Sequence, residues 1–97
     1  MSEETQNETG PVVLDVRTPE EYAEGHLDGS RLIDVLAGDV HAAIGELDPT
    51  AEYLVYCRSG GRSGQSVELM RQAGFTSATN LGSLEEAAES TGIPVVK

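Results

Sequence analysis

The one cysteine of this chain, Cys57, stands in the run Val55-Tyr56-Cys57-Arg58-Ser59-Gly60-Gly61-Arg62-Ser63-Gly64. Those residue types, in that order, describe a nucleophile set in a cradle. The thiolate is the reactive form, and the thiol pKa of about 8.5 falls to roughly 3.5–7.5 beside cations or helix N-termini. A helix expected to begin near Ser63 offers orphan N–H groups and the positive end of its dipole. Arg58 and Arg62 bring positive charge, and the hydroxyls of Ser59 and Ser63 add donors. Gly60 and Gly61 are expected to take backbone angles closed to other residues, so that successive N–H groups converge on one anion. A cysteine that only fills core space needs none of these neighbours. The chemistry expected is covalent catalysis on an anionic, sulfur-bearing substrate.

The charge distribution agrees. The 97 residues carry a net charge of −11, which repels nucleic acid over most of the surface. Between Leu54 and Gly82, however, Arg58, Arg62 and Arg71 face only Glu68. That local excess reads as an anion site on an acidic protein. The lone cysteine leaves no Cys-x-x-Cys, so neither dithiol exchange nor a cysteine-based zinc site is expected, and no nucleotide P-loop motif occurs. No metal or organic cofactor is implied. No run reaches the ~18 apolar residues of a membrane span. Met1–Gly10 has neither a basic start nor an apolar stretch. It reads as a disordered tail over residues 1–10 and not as a signal peptide, with one domain over 11–97. Without a disulfide framework, the expected compartment is the cytoplasm.

The elements that position Cys57 alternate short apolar strands with helices, the pattern of an α/β fold with a parallel sheet. Val12–Val16 reads as a buried strand. Thr18-Pro19-Glu20-Glu21 starts a short helix, with Thr18 as N-cap, Pro19 at N1 and Glu21 completing a capping box, and Gly25 ends it. Arg31–Val35 is a further strand. A helix over Asp39–Leu47 places Val40, Ala43, Ile44 and Leu47 on one face, with His41 at the surface. Glu52–Tyr56 is the strand that feeds Cys57. Ser63–Ala73 forms the next helix, with Val67, Met70 and Ala73 apolar and Gly74 as its stop. Phe75–Leu81 holds the last strand. Ser83 caps a final helix to Ser90, with Glu86 at N3 and Gly92 beyond its end. Ligands of such sheets bind outside the carboxyl ends of the strands, where Cys57 lies.

Cys57-Arg58-Ser59-Gly60-Gly61-Arg62-Ser63 resembles the active-site loop of rhodanese-type sulfurtransferases. Leu14-Asp15-Val16-Arg17-Thr18-Pro19-Glu20-Glu21-Tyr22 and Gly25-His26-Leu27-Asp28-Gly29-Ser30 resemble the other signatures of that family, in the same order. The chain looks like the shortest single-domain, phage-shock-type members. It departs from the family in having Gly82-Ser83 where a Gly-Gly and a tryptophan often follow the last strand. The resemblance implies a three-layer α/β/α fold around a small parallel sheet of four to five strands. It also implies transfer of sulfane sulfur from thiosulfate or a similar anionic donor, through a Cys57 persulfide, to cyanide or an external thiol, a protein thiol included. Arg58, Ser59, Gly60, Gly61, Arg62 and Ser63 would bind the donor, and Asp15, Arg17 and His26 would hold the surrounding loops. Tyr22, Tyr53 and Tyr56 read as packing residues. Two alternatives stay open. One is a cysteine-dependent phosphatase or arsenate reductase, although Arg62 comes one place early for the phosphatase loop of Cys, five residues, Arg. The other is a non-catalytic module that carries sulfur or binds a partner.

Overall fold

The structure, a computed structural model, describes residues 11–34 and 39–97. The expected tail over 1–10 and the end of the second predicted strand at Val35 lie outside the described residues, as do the side chains of Val40 and His41. The elements run β1 Val12–Asp15, α1 Pro19–Glu24, β2 His26–Leu27, β3 Arg31–Leu32, α2 Asp39–Glu46, β4 Glu52–Tyr56, α3 Gly61–Gln72, β5 Ser77–Gly82, α4 Leu84–Thr91 and β6 Val95–Val96. Four strands form a parallel sheet in the order β3-β1-β4-β5. The expected four-to-five-strand sheet therefore has four strands among the described residues.

Strand alternation explains the layers. Along β1 and β4, paired residues share a face: Val13 with Leu54 and Asp15 with Tyr56 on one side, Leu14 with Val55 and Val12 with Tyr53 on the other. Leu14, Val55 and Cys57 join Val67 and Met70 of α3 and Ala43 and Ile44 of α2 in one core. Val13, Leu27 and Tyr56 meet Ala87, Leu84 and Ala88 of α4 in the second. A sheet with an apolar core on each face is the three-layer α/β/α arrangement, and it needs both faces of each central strand buried.

Both capping boxes form. The Thr18 N–H donates to Glu21 Oε1 at 3.0 Å and the Glu21 N–H returns to Thr18 Oγ1 at 3.3 Å. Ser83 and Glu86 repeat the pattern at 2.9 and 3.1 Å. Each such exchange satisfies two otherwise orphaned donors. α3 starts at Gly61, two residues before the expected Ser63, and Ala73, placed by its spacing on the apolar face, is exposed. One pairing has no counterpart in the sequence reading: β2 and β6 form an antiparallel ladder, His26 opposite Val96 and Leu27 opposite Val95. Two-residue strands are too short to show a period. No described helix is long and apolar enough to cross a membrane.

Candidate active site

At the end of β4 the chain passes through Cys57, Arg58, Ser59 and Gly60 and turns at once into α3. The Cys57 N–H donates to the Gly82 carbonyl at 2.9 Å, which fixes the residue against the end of β5. Gly60 is the N-cap of α3 and adopts φ 98°, ψ −13°. This left-handed conformation is open to glycine and strained for other residues. It turns the Gly60 N–H onto Cys57 Sγ at 2.9 Å. Gly61, expected to share that freedom, does not have a positive φ; it is the first residue of the helix. Only one of the two glycines therefore shapes the cradle.

Cys57 is fully buried, and Ser63 Oγ lies 3.3 Å from its sulfur. Burial pushes the thiol up. The hydroxyl of Ser63 and the backbone N–H groups of Ser63, Ser59 and Gly60 outweigh burial and leave the thiol below its usual range. Hydrogen-bond donors at the start of a helix thus do most of the activating.

The two arginines flanking this cradle are placed differently from it. Arg62 makes a two-pronged ion pair with Glu21, Nη1 to Oε1 at 2.9 Å and Nη2 to Oε2 at 3.1 Å. The pair holds the Glu21 carboxyl down at about 2, chiefly through the Arg62 hydrogen bonds. Arg62 in turn rises above its ordinary value because of Glu21, with the charge of Cys57 a lesser cause. Arg58 is 78% exposed, its guanidinium 3.8 Å from Glu21. Arg58 is thus the arginine of the loop that extends into solvent.

Asp15 and Arg17 are buried, and His26 is half-buried. Arg17 binds Asp15 through Nε at 2.8 Å and Nη2 at 2.6 Å, and Nη2 also donates to the Gly25 carbonyl at 2.6 Å. His26 Nδ1 sits 2.8 Å from the Tyr22 carbonyl, and its ring stacks on Tyr22. None of the three makes a described hydrogen bond to the sulfur.

Three further residues complete the surroundings. Tyr56, besides packing in the second core, donates its hydroxyl proton to Asp15 Oδ2 at 2.7 Å. The Tyr56 hydroxyl oxygen itself accepts the Leu27 N–H at 3.0 Å and lies 3.2 Å from Ser30 Oγ. Glu21 was legible as a capping residue, but its grip on Arg62 spans 41 positions. Asn80 contacts Ser63, Gly60 and Gly82; the one available signal was an asparagine inside a strand, against β propensity. A cleft of about 300 Å³ opens beside Arg58, with Arg17 and the acids Glu21, Glu24 and Glu85 in its wall. Cys57 does not line it. The hydrogen-bond donors converge on the sulfur and not on the cleft.

The sequence profile of the family described as "Rhodanese-like domain" matches residues 2–89. The chain is 33% identical to the thiosulfate sulfurtransferase PspE of Escherichia coli, over 77% of this chain and 72% of that protein. It is 36% identical to the thiosulfate sulfurtransferase GlpE of Pseudomonas paraeruginosa, over 76% of this chain and 66% of that one. Among solved structures, one described as "rhodanese with anions from E. coli" superposes with a TM-score of 0.76 at 31% identity, covering 91% of this chain and 99% of that one.

Proposed function

The chain belongs to the rhodanese-like domain family, and from that premise we propose that it is a sulfurtransferase with Cys57 as the sulfur carrier. The observation that carries this reading is the Gly60 N–H aimed at Cys57 Sγ at 2.9 Å from the start of α3. In the proposed cycle the thiolate attacks the outer sulfur of thiosulfate. The sulfur–sulfur bond of the donor breaks, its electron pair leaves with sulfite, and Cys57 becomes a persulfide. An external nucleophile, cyanide or a small or protein thiol, then attacks the terminal sulfur and releases the Cys57 thiolate. This is two-step covalent catalysis, and as written it needs no metal or organic cofactor. The backbone donors of Ser59, Gly60 and Ser63 hold the charge of the persulfide. The exposed Arg58 attracts the anionic donor, while Arg62 holds the loop to α1 through Glu21. With one cysteine in the chain, the acceptor comes from outside, in keeping with work in the reducing cytoplasm.

The phosphatase reading loses support from the same geometry. An arginine that binds a transferred phosphoryl group has to face it, and both terminal nitrogens of Arg62 are engaged by Glu21. The test is the intact mass after incubation with thiosulfate and removal of excess reagent. A gain of one sulfur, lost on adding cyanide and absent in Cys57→Ser, is expected. A folded protein that gains no sulfur overturns the proposal.

A further inference from the structure

Ser63 has one hydroxyl proton and two neighbours that can accept it. Cys57 Sγ is 3.3 Å away and Asn80 Oδ1 is 2.6 Å away. The orientation of the Asn80 carboxamide follows from its other partners. The atom facing the Gly82 N–H at 3.0 Å must accept, so it is oxygen, and the atom facing the Gly60 carbonyl at 3.1 Å must donate, so it is nitrogen. An oxygen that only accepts, 2.6 Å from Ser63 Oγ, requires Ser63 to donate. The shorter contact gives the Ser63 proton to Asn80, so Asn80 Oδ1 and Cys57 Sγ are rival acceptors for one donor. To serve the Cys57 thiolate, the Ser63 hydroxyl has to turn from Asn80.

We propose that Asn80 is a positioning residue of the sulfur site: it competes with Cys57 for the Ser63 proton and, through the Gly60 carbonyl, anchors the residue whose N–H donates to the sulfur. This rests on Cys57 being the working nucleophile, and deepens that reading. One side chain on β5 thus reaches two of the residues that donate to the sulfur, Ser63 and Gly60, although it does not touch the sulfur. The fit is close on the α3 side as well: a Cβ built on Gly64 would sit 3.3 Å from Asn80 Nδ2. Of the charged groups on the elements flanking the loop, α3 contributes Arg62, the loop Arg58 and α1 Glu21, which pairs with both. From α4, the Glu86 carboxylate lies against Gly82, occupied by the Ser83 N–H. Asn80 is the neutral group among them that reaches Ser63.

The lone cysteine makes the test direct, because thiolate ultraviolet absorbance reports Cys57 without needing access for a reagent. Asn80→Asp keeps an acceptor for Ser63, holds its proton more tightly and removes the donor to Gly60. The absorbance midpoint is expected to rise by about one pH unit, which is a tenfold loss of thiolate below it. In a Ser63→Ala background the same substitution is expected to move the midpoint by less than half as much, since the pair is coupled. Equal shifts in both backgrounds overturn the proposal. A measurement on the unaltered protein decides the matter if Asn80→Asp does not fold. In a nuclear magnetic resonance titration, the Asn80 side-chain amide and the Gly82 N–H are expected to shift with the Cys57 midpoint. An Asn80 amide that stays fixed through that midpoint refutes the role. Both readouts are independent of sulfur loading, so a failure to load from thiosulfate leaves this inference standing or falling by itself.

Discussion

Gly60 and Gly61 are adjacent and chemically identical, yet alanine at the two positions should act in opposite directions. At Gly60, a Cβ would stand 3.5 Å from Gly82 Cα and 4.0 Å from Asn80 Nδ2. Those are ordinary contacts, so the cost is conformational. Holding an L-residue at φ 98° costs about 1–2 kcal/mol, which for a domain of this size lowers Tm by roughly 5–15 °C. The loop has one way to avoid that cost, which is to leave the left-handed region and carry the Gly60 N–H away from Sγ. A hydrogen bond to a charged acceptor is worth about 1.5–3 kcal/mol, so the thiol midpoint would then rise by roughly one to two pH units. Gly61 has a helical φ and open space at its Cβ, and Gly61→Ala should stabilise by about 0.4–1 kcal/mol through the unfolded chain. Thermal melts and thiolate absorbance on both variants make the assay. Gly60→Ala must lose stability, or raise the thiol midpoint, or share the cost between them. If both quantities stay at the values of the unaltered protein, or if Gly61→Ala is as damaging as Gly60→Ala, the reasoning about this turn is refuted.

Glu21→Gln keeps an acceptor at the N3 position of α1 but removes the ion pair to Arg62. Because the folded Glu21 titrates near 2 against an ordinary 4.5, its contribution is complete above about pH 4.5 and is lost as the pH falls through 2. Melts should show the variant less stable at neutral pH, by no more than about 1 kcal/mol, and equal to the unaltered protein near pH 2; a gap that persists in acid refutes the assignment. Tyr56→Phe leaves the Leu27 N–H buried without its acceptor and should cost about 1–3 kcal/mol in denaturant unfolding. Burial above all holds the Tyr56 hydroxyl up at about 12. Stability from this group is therefore complete below pH 10 and declines as the pH rises toward 12. Ultraviolet titration should show a late tyrosine phase that the Phe variant lacks.

Much of this site is local in sequence, and that part was legible. Thr18 with Glu21 and Ser83 with Glu86 are three positions apart, and both boxes form as the spacing predicts. The strand before Cys57 and the helix after it are contiguous, so the placement of the thiol at a strand end follows from pattern alone. What escaped is non-local. Arg62 read as a free cation because Glu21, its partner, lies 41 positions away. Asn80 is 17 positions from Ser63 and is brought to it only by parallel pairing of β4 with β5. Gly61 looked equivalent to Gly60 because composition does not say where a helix takes over. The β2–β6 pairing depends on tertiary proximity, and no propensity in two residues announces it.

Tyr56 and Cys57 are consecutive, and the pleat sends them to opposite faces of the sheet. Behind the sulfur, the Tyr56 ring is gripped through its hydroxyl by Asp15 and Leu27. The tyrosine is thus a polar anchor for the strand end, set on the far side of the backbone from the sulfur.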